Sequence, residues 1–452
     1  MIRFIALGGA DDIGASCYYL LINGTGLLVD CGIHPRKKGL DSIPDFSKLE
    51  QLPLDAVLIT HAHQDHIGAL PFLIKKFPHV KIFATSQSKE IAALTLKNAV
   101  SIIKKQETEN KDFVAYNYNE VELLVKSIRD FAYDEIFELT GLKGTKNVTA
   151  SFHDAGHILG SASVFIESGG TKIFFTGDIN LSHQSIMNGA ALPKIKPDIL
   201  VTESTYGSTE SDNMKGWKEE GQRLAKFINR KINNGGSVFI PVFSLGKTQE
   251  LLFLISQLIA SGKITDVPIY TGGLGRKISN VYDKNRYLVR RLNPDDELKS
   301  IPQNDIKLPA FFNEIKKNPG IVLSSSGMVV EGTLSFDIIK YWVRQKNYGI
   351  AVVGYMDPDS PGYRVANLSI GEKFRLNNQS EEVINLAEVK KFFFNSHSLR
   401  EELLTIVRRL KPDKIIIIHG EEESRDWMGF NILKLLPETK VFSPMNGNEI
   451  IL

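Results

Sequence analysis

Six consecutive residues, His61-Ala62-His63-Gln64-Asp65-His66, constrain this 452-residue chain more tightly than any other stretch. The preceding Ala56-Val57-Leu58-Ile59-Thr60 is a short apolar, β-branched run that reads as a buried strand. The following Ile67-Gly68-Ala69-Leu70-Pro71-Phe72-Leu73-Ile74 carries apolar residues at helical spacing. The cluster is therefore expected in a strand-to-helix loop at the carboxyl edge of a sheet, where open α/β folds keep their sites. Three imidazoles and a carboxylate this close suit borderline divalent metals, zinc above all. They are too crowded for one tetrahedral ion. His61 and His63 alternate and can point the same way, while Asp65 and His66 face a second position. The expectation is two metals sharing one loop.

Further donor residues recur where predicted strands end. Asp30 closes a hairpin of 16–22 and 26–30 around Asn23-Gly24. It either caps a turn or orients a metal-bound histidine from behind. His157 sits in the Gly-rich loop after a strand over 147–153, and Asp178 ends the strand that begins at Lys172. With two oxygens, Asp178 is the best candidate to bridge two ions. Glu203 ends a strand over 199–202, and His419 ends the run Lys414-Ile415-Ile416-Ile417-Ile418. His397 follows Phe392-Phe393-Phe394, expected as a strand, and precedes a helix with Ser398 and Glu401 at capping-box spacing. Segment 86–139 reads as helical and charged.

The middle of the chain repeats strand, loop, helix, which implies a parallel sheet with its loops on one edge, a second α/β domain. Gly246-Lys247-Thr248 hints at a P-loop, but that motif needs a glycine where Pro241 stands. The loop can still bring backbone N–H groups and Lys247 to a phosphate. A net charge of +2 excludes a global basic field, so any nucleic acid must be held by a local patch. Two cysteines make no disulfide framework, which fits a reducing compartment. No run is long and apolar enough to span a bilayer, so no membrane partner is expected.

Taken together, Asp30, His61-Ala62-His63-Gln64-Asp65-His66, His157, Asp178, Glu203, His397 and His419 resemble the β-CASP nucleases of the metallo-β-lactamase superfamily. The flanks Thr176-Gly177-Asp178, Glu203-Ser204-Thr205-Tyr206-Gly207, Ser325-Ser326-Gly327-Met328 and His419-Gly420-Glu421 strengthen the match, which runs in order along nearly the whole chain. The resemblance implies an α/β fold: an αββα metallo-β-lactamase sandwich with an inserted Rossmann-like β-CASP domain. It divides the chain into 1–208, 209–390 and 391–452, the first and last forming the sandwich, with the active site in the cleft beside the insert. It assigns one zinc to His61, His63 and His157 and the other to Asp65, His66 and His419. Asp178 and a hydroxide bridge the two. Asp65, Glu203 and His397 are its catalytic residues, with Glu203 orienting His397 as general acid and Asp30 supporting from behind. Asn395 and Leu399 stand where the family usually has Ser and Asp around that histidine.

The implied function is a zinc-dependent ribonuclease that hydrolyses phosphodiester bonds of single-stranded RNA in processing or turnover, in the cytoplasm. Lys247, Arg276, Ser325, Ser326 and Arg364, in loops of the inserted domain, are the expected RNA contacts. A homodimer is compatible with the sequence. The alternatives are a DNA nuclease of the same family, a thioester hydrolase, or a non-catalytic RNA-binding partner subunit. By resemblance, DNA-directed members usually lack a histidine at the position of His419, thioester hydrolases lack the insert, and inactive members lose ligands that this chain keeps.

Overall fold

Asn23 and Gly24 both take positive φ, 47° and 81°, the paired left-handed conformation that a two-residue hairpin turn demands. They join the strands Cys17–Ile22 and Thr25–Val29, which pair antiparallel. This hairpin lies inside a seven-stranded sheet ordered Glu449–Ile451, Ile2–Gly8, Cys17–Ile22, Thr25–Val29, Ala56–Leu58, Lys81–Thr85, Ile128–Phe131. A second seven-stranded sheet is ordered Lys440–Phe442, Lys414–Ile417, Ile199–Thr202, Thr171–Phe175, Ala162–Ser168, Val148–Asp154, Ile136–Glu138. The computed structural model describes residues 2–109, 115–211, 214, 216–354, 356–377 and 380–452. The sequence pattern also predicts a helix over 212 to about 234, and its first residue lies outside them.

The two sheets face each other across one apolar core. Phe4, Tyr18, Leu20, Leu27 and Leu58 of the first interlock with Phe152, Val164, Phe175, Val201 and Ile416 of the second. Burying each such side chain contributes about 1.5–3 kcal/mol relative to exposure. The core therefore fixes where the strands end. On the outer face of the second sheet, Phe174, Leu200, Ile415 and Ile417 pack against the helices Arg400–Leu410 and Glu422–Leu435. The helix Ser86–Glu109 packs on the first sheet at Lys81–Thr85 and Ile128–Phe131. Helices outside and sheets inside make the αββα sandwich.

This sandwich is one compact unit, formed by Met1–Ser182, Gly189–Asp212 and Ser396–Leu452. The other unit is His183–Asn188 with Asn213–Asn395. It is built on an all-parallel sheet ordered Asn304–Asp305, Ile269–Thr271, Ile321–Ser324, Val238–Pro241, Gly349–Val352, Glu388–Lys391. The connecting loops after Pro241, Thr271 and Ser324 leave one edge of that sheet, as alternating strand and helix require.

Several local expectations are corrected. Segment 86–139 is not helical throughout, because Ile128–Phe131 and Ile136–Glu138 are strands. They are edge strands with mostly exposed side chains, so they lack an apolar signature. Phe392, Phe393 and Phe394 follow the strand Glu388–Lys391 rather than forming one. The helix after His397 is capped by Glu402, whose carboxylate accepts from Leu399 N–H at 2.9 Å. Ser398 instead accepts from Leu181 N–H at 3.0 Å, and Glu401 takes no part in the cap. Lys247 and Thr248 open the helix Lys247–Ala260 and do not belong to the loop before it.

Candidate metal centre

His61 lies just beyond the strand Ala56–Leu58, and His63 is the extended residue that precedes the short helix Gln64–Ile67. The intervening backbone is extended, so the two rings share a side, and His61 Nε2 lies 3.0 Å from His63 Nδ1. His157 Nε2 lies 3.2 Å from the same nitrogen. Asp65 and His66 sit in the helix's first turn, on a different bearing. The ligand atoms of His61, His63, His157 and Asp178 fall into one group within 4.8 Å, and those of Asp65, His66 and His419 into another.

Hydrogen bonding on the far side of each ring decides which nitrogen faces inward. His157 Nδ1 donates to the Ser396 carbonyl at 2.7 Å, so in the neutral ring Nε2 carries the lone pair. Thr60 Oγ1 donates to Asp30 Oδ2 at 2.7 Å and accepts from His61 Nδ1 at 3.1 Å. Asp30 Oδ2 also accepts from His66 Nδ1 at 2.8 Å, and its Oδ1 accepts from Thr60 N–H at 2.7 Å. Asp30 thus orients two imidazoles, one directly and one through a threonine. Thr205 Oγ1 holds His419 Nδ1 at 3.1 Å.

His66 Nε2 and His419 Nε2 are buried and make no hydrogen bond. Asp178 stands at the centre, with Oδ2 at 3.6 Å from His61 Nε2, 3.4 Å from His66 Nε2 and 3.8 Å from His157 Nε2. Its Oδ1 is 3.5 Å from His419 Nδ1. These gaps are near the edge of a tetrahedron around a zinc-sized ion, about 3.3 Å for bonds of about 2.0–2.1 Å. Buried imidazole nitrogens and carboxylate oxygens aimed at shared points, two of them without a hydrogen bond, fit cations. The His/Asp clusters can hold metal.

Electrostatics agree with that reading. Burial pushes His61 and His157 well below the usual histidine range, so both are neutral, as ligands must be. Burial works against ionisation of Asp178, but His419, His66 and His397 outweigh it and hold its carboxyl well below the usual range. Burial opposes a charge on His66, yet Asp178, Asp65 and Asp30 raise it well above the usual range. The second group therefore attracts positive charge.

His397 and Glu203 form a separate pair. Both Glu203 oxygens face His397 Nδ1, at 3.0 and 3.1 Å. Glu203 is itself fixed by Ile179 N–H at 2.8 Å and Thr205 N–H at 3.2 Å. His397 Nε2 points toward Asp178 Oδ2 at 3.9 Å. Burial lowers the proton affinity of His397, but Glu203 and then Asp178 raise it above its ordinary value.

The five expected RNA contacts belong to the other unit and differ among themselves. Lys247 is the clear correction. It is buried, and its Nζ donates to the Phe394 carbonyl and lies 5.1 Å from the centre of the Trp217 ring. A lysine so engaged cannot reach a phosphate. Burial drives its pKa down to about 7. Arg276 is committed to Thr271 Oγ1 at 2.9 Å and Asp305 at 2.7 Å. Ser325 and Ser326 are half-buried, and Ser326 Oγ accepts from Val330 N–H at 3.1 Å. Arg364 is exposed on the helix Pro361–Ala366. Reading the sequence missed Thr60, Thr205 and the Ser396 carbonyl as supports of the metal centre. Of the three, only Thr60, adjacent to His61, carried a signal of position.

Residues 10–232 match the metallo-β-lactamase superfamily, 248–365 the β-CASP domain, and 384–434 the Zn-dependent metallo-hydrolase RNA specificity domain. The chain is 31% identical to an RNase J-like protein of Methanocaldococcus jannaschii over 97% of both chains. It is 28% identical to cleavage and polyadenylation specificity factor 73 of Drosophila melanogaster, over 93% of this chain and 60% of that protein. A protein of unknown function from Enterococcus faecalis V583 shares the fold, with a TM-score of 0.58 and 13% identity over the whole of both chains. No helix among the described residues is long and apolar enough to cross a membrane. The chain belongs to the β-CASP branch of the metallo-β-lactamase superfamily, a family of metal-dependent hydrolases.

Proposed function

We propose that this protein is a two-zinc ribonuclease that hydrolyses phosphodiester bonds of single-stranded RNA in RNA processing or turnover. The observation that carries the reading is the set of inward imidazole nitrogens, two of them without any hydrogen bond, ringed about the buried Asp178. His61, His63 and His157 would hold one ion, and Asp65, His66 and His419 the other. Asp178, whose Oδ2 faces His61 of the first group and His66 of the second, would touch both. Two bound ions supply an activated water and stabilise the charge that develops in an in-line displacement at phosphorus.

The protein's own groups do the rest. His397 protonates the departing oxygen from Nε2, since Glu203 holds the proton on Nδ1 and favours the charged ring. Asp30 and Thr60 fix the rings of His61 and His66 so that Nε2 faces inward. Arg364, Arg276, Ser325 and Ser326 are candidate phosphate contacts, while Lys247 is withdrawn. RNA is preferred over DNA because relatives include RNase J-like and polyadenylation-factor proteins and because 384–434 matches an RNA specificity domain. Two free, buried cysteines, Cys17 and Cys31, suit the cytoplasm. The test is incubation of zinc-supplemented protein with 5′- and 3′-labelled single-stranded RNA and the matching DNA. RNA fragments that vanish with chelator support the reading; intact RNA alongside cut DNA overturns it.

A further inference from the structure

The sandwich carries three consecutive cations that the metal centre does not use. Arg36, Lys37 and Lys38 are solvent-exposed on a loop that runs along the metal-binding stretch. Cys31 N–H donates to the His66 carbonyl at 2.7 Å, and Ile33 N–H to the Gln64 carbonyl at 2.9 Å. Gly32 lies so close that an added Cβ would stand 1.6 Å from the Asp65 carbonyl oxygen. Only glycine allows this approach, so the loop is seated against Asp65 and His66.

The loop is also anchored just before its charges. His34 is buried, its Nε2 meets Asp12 Oδ2 at 2.8 Å, and its Nδ1 accepts from Arg36 N–H at 3.1 Å. On the other side, Arg36 Nη2 lies 3.8 Å from Glu421, two residues beyond His419. The loop that carries the cations is thus seated on the segment of Asp65 and His66, and Arg36 reaches the segment that follows His419. The ion pairs of Arg36 and Lys37 with Asp12, at 3.8 and 3.9 Å, and of Arg36 with Glu421 are long and partly exposed. Such pairs are worth little and yield to a better anion. In a chain of net charge +2, three adjacent cations are a strong local field.

We propose that Arg36, Lys37 and Lys38 form a subsite for the backbone phosphates of the RNA strand that flank the scissile phosphate on the side of His66 and His419. The subsite rests on the RNA-hydrolase reading above. The test compares the zinc-loaded wild type with an Arg36→Gln, Lys37→Gln, Lys38→Gln variant whose metal content and melting temperature are checked first. Single-stranded RNA cleavage is measured across a salt series, with bis(p-nitrophenyl) phosphate as a small diester without flanking phosphates. Loss of the three contacts should raise KM for RNA at least about tenfold at 0.15 M salt and flatten the slope of log affinity against log salt by about 2.1. An unchanged RNA KM and slope overturns the subsite. So does an equal loss on the small diester, which would trace the defect to the metal centre. If the wild type cuts the small diester but not RNA, the RNA reading itself fails and the subsite with it.

Discussion

The two units place chemistry-bearing side chains at the same topological address, the loops at the carboxyl ends of strands, and treat them in opposite ways. In the sandwich, the donors at those ends point at one another, their outer atoms tied down and two of their inner atoms, His66 Nε2 and His419 Nε2, without a hydrogen bond. In the parallel-sheet unit, Lys247 and Arg276 stand in the first turns of the helices that follow such loops and are engaged within their own unit, one by a carbonyl and a tryptophan face, the other by Thr271 and Asp305. A strand-end position is thus permissive only. What marks a site is several metal-ligating side chains converging on one place with buried nitrogens among them left without partners, because each such atom costs free energy unless a ligand meets it.

The contrast can be broken most forcefully at Asp178. Replacing it with Ala removes the one carboxylate that faces both donor groups, and RNA cleavage should become undetectable in single-turnover assays. Retention of wild-type rates would mean that the groups work independently. The next effect in size is at His397. Its replacement by Ala should lower the rate by about 10²–10⁴, with metal content and RNA affinity intact. Loss of an ion in that variant would make His397 a ligand, a role that its grouping with Asp178 and Glu203 also permits.

A smaller effect is expected at Thr60, where Val keeps the shape but removes the hydroxyl between Asp30 and His61. Zinc affinity, read by competition with a chromogenic chelator, should weaken by about 10- to 100-fold. An unaltered affinity would show that the ring of His61 is fixed by packing alone.

Lys247 sharpens the other half of the comparison. Lys247→Met should leave RNA affinity unchanged, since the side chain is buried. It should change stability against pH instead. The folded pKa is about 7, and the unfolded chain keeps its proton to about 10.5. Between those values the unfolded state binds more protons, so this lysine makes stability rise with pH across that window and costs most below pH 7. Melting temperatures of wild type and variant should converge toward pH 9, and parallel curves would contradict the burial.

Much of this was legible because ligand chemistry leaves residue types that few other needs explain. His61, His63, Asp65 and His66 crowd one loop, and His157, Asp178 and His419 recur where apolar runs stop. The supports were not legible. Thr60 and Thr205 act through hydroxyls, and Ser396 through a backbone carbonyl that any residue could supply. Nor could a lysine in a Gly-bearing loop announce whether it points out or in; Trp217 and Phe394, which receive it, are 30 and 147 positions away. The strands Ile128–Phe131 and Ile136–Glu138 escaped because edge strands half-open to water carry no apolar run.

The central claim is that the sandwich holds two metals around Asp178, and metal stoichiometry tests it most directly. Protein purified without chelator, equilibrated with zinc and freed of excess, should contain two zinc ions per chain by elemental analysis, and Asp178→Ala should lose both or nearly so. A wild-type stoichiometry of one or below, unmoved by further zinc, would contradict the account.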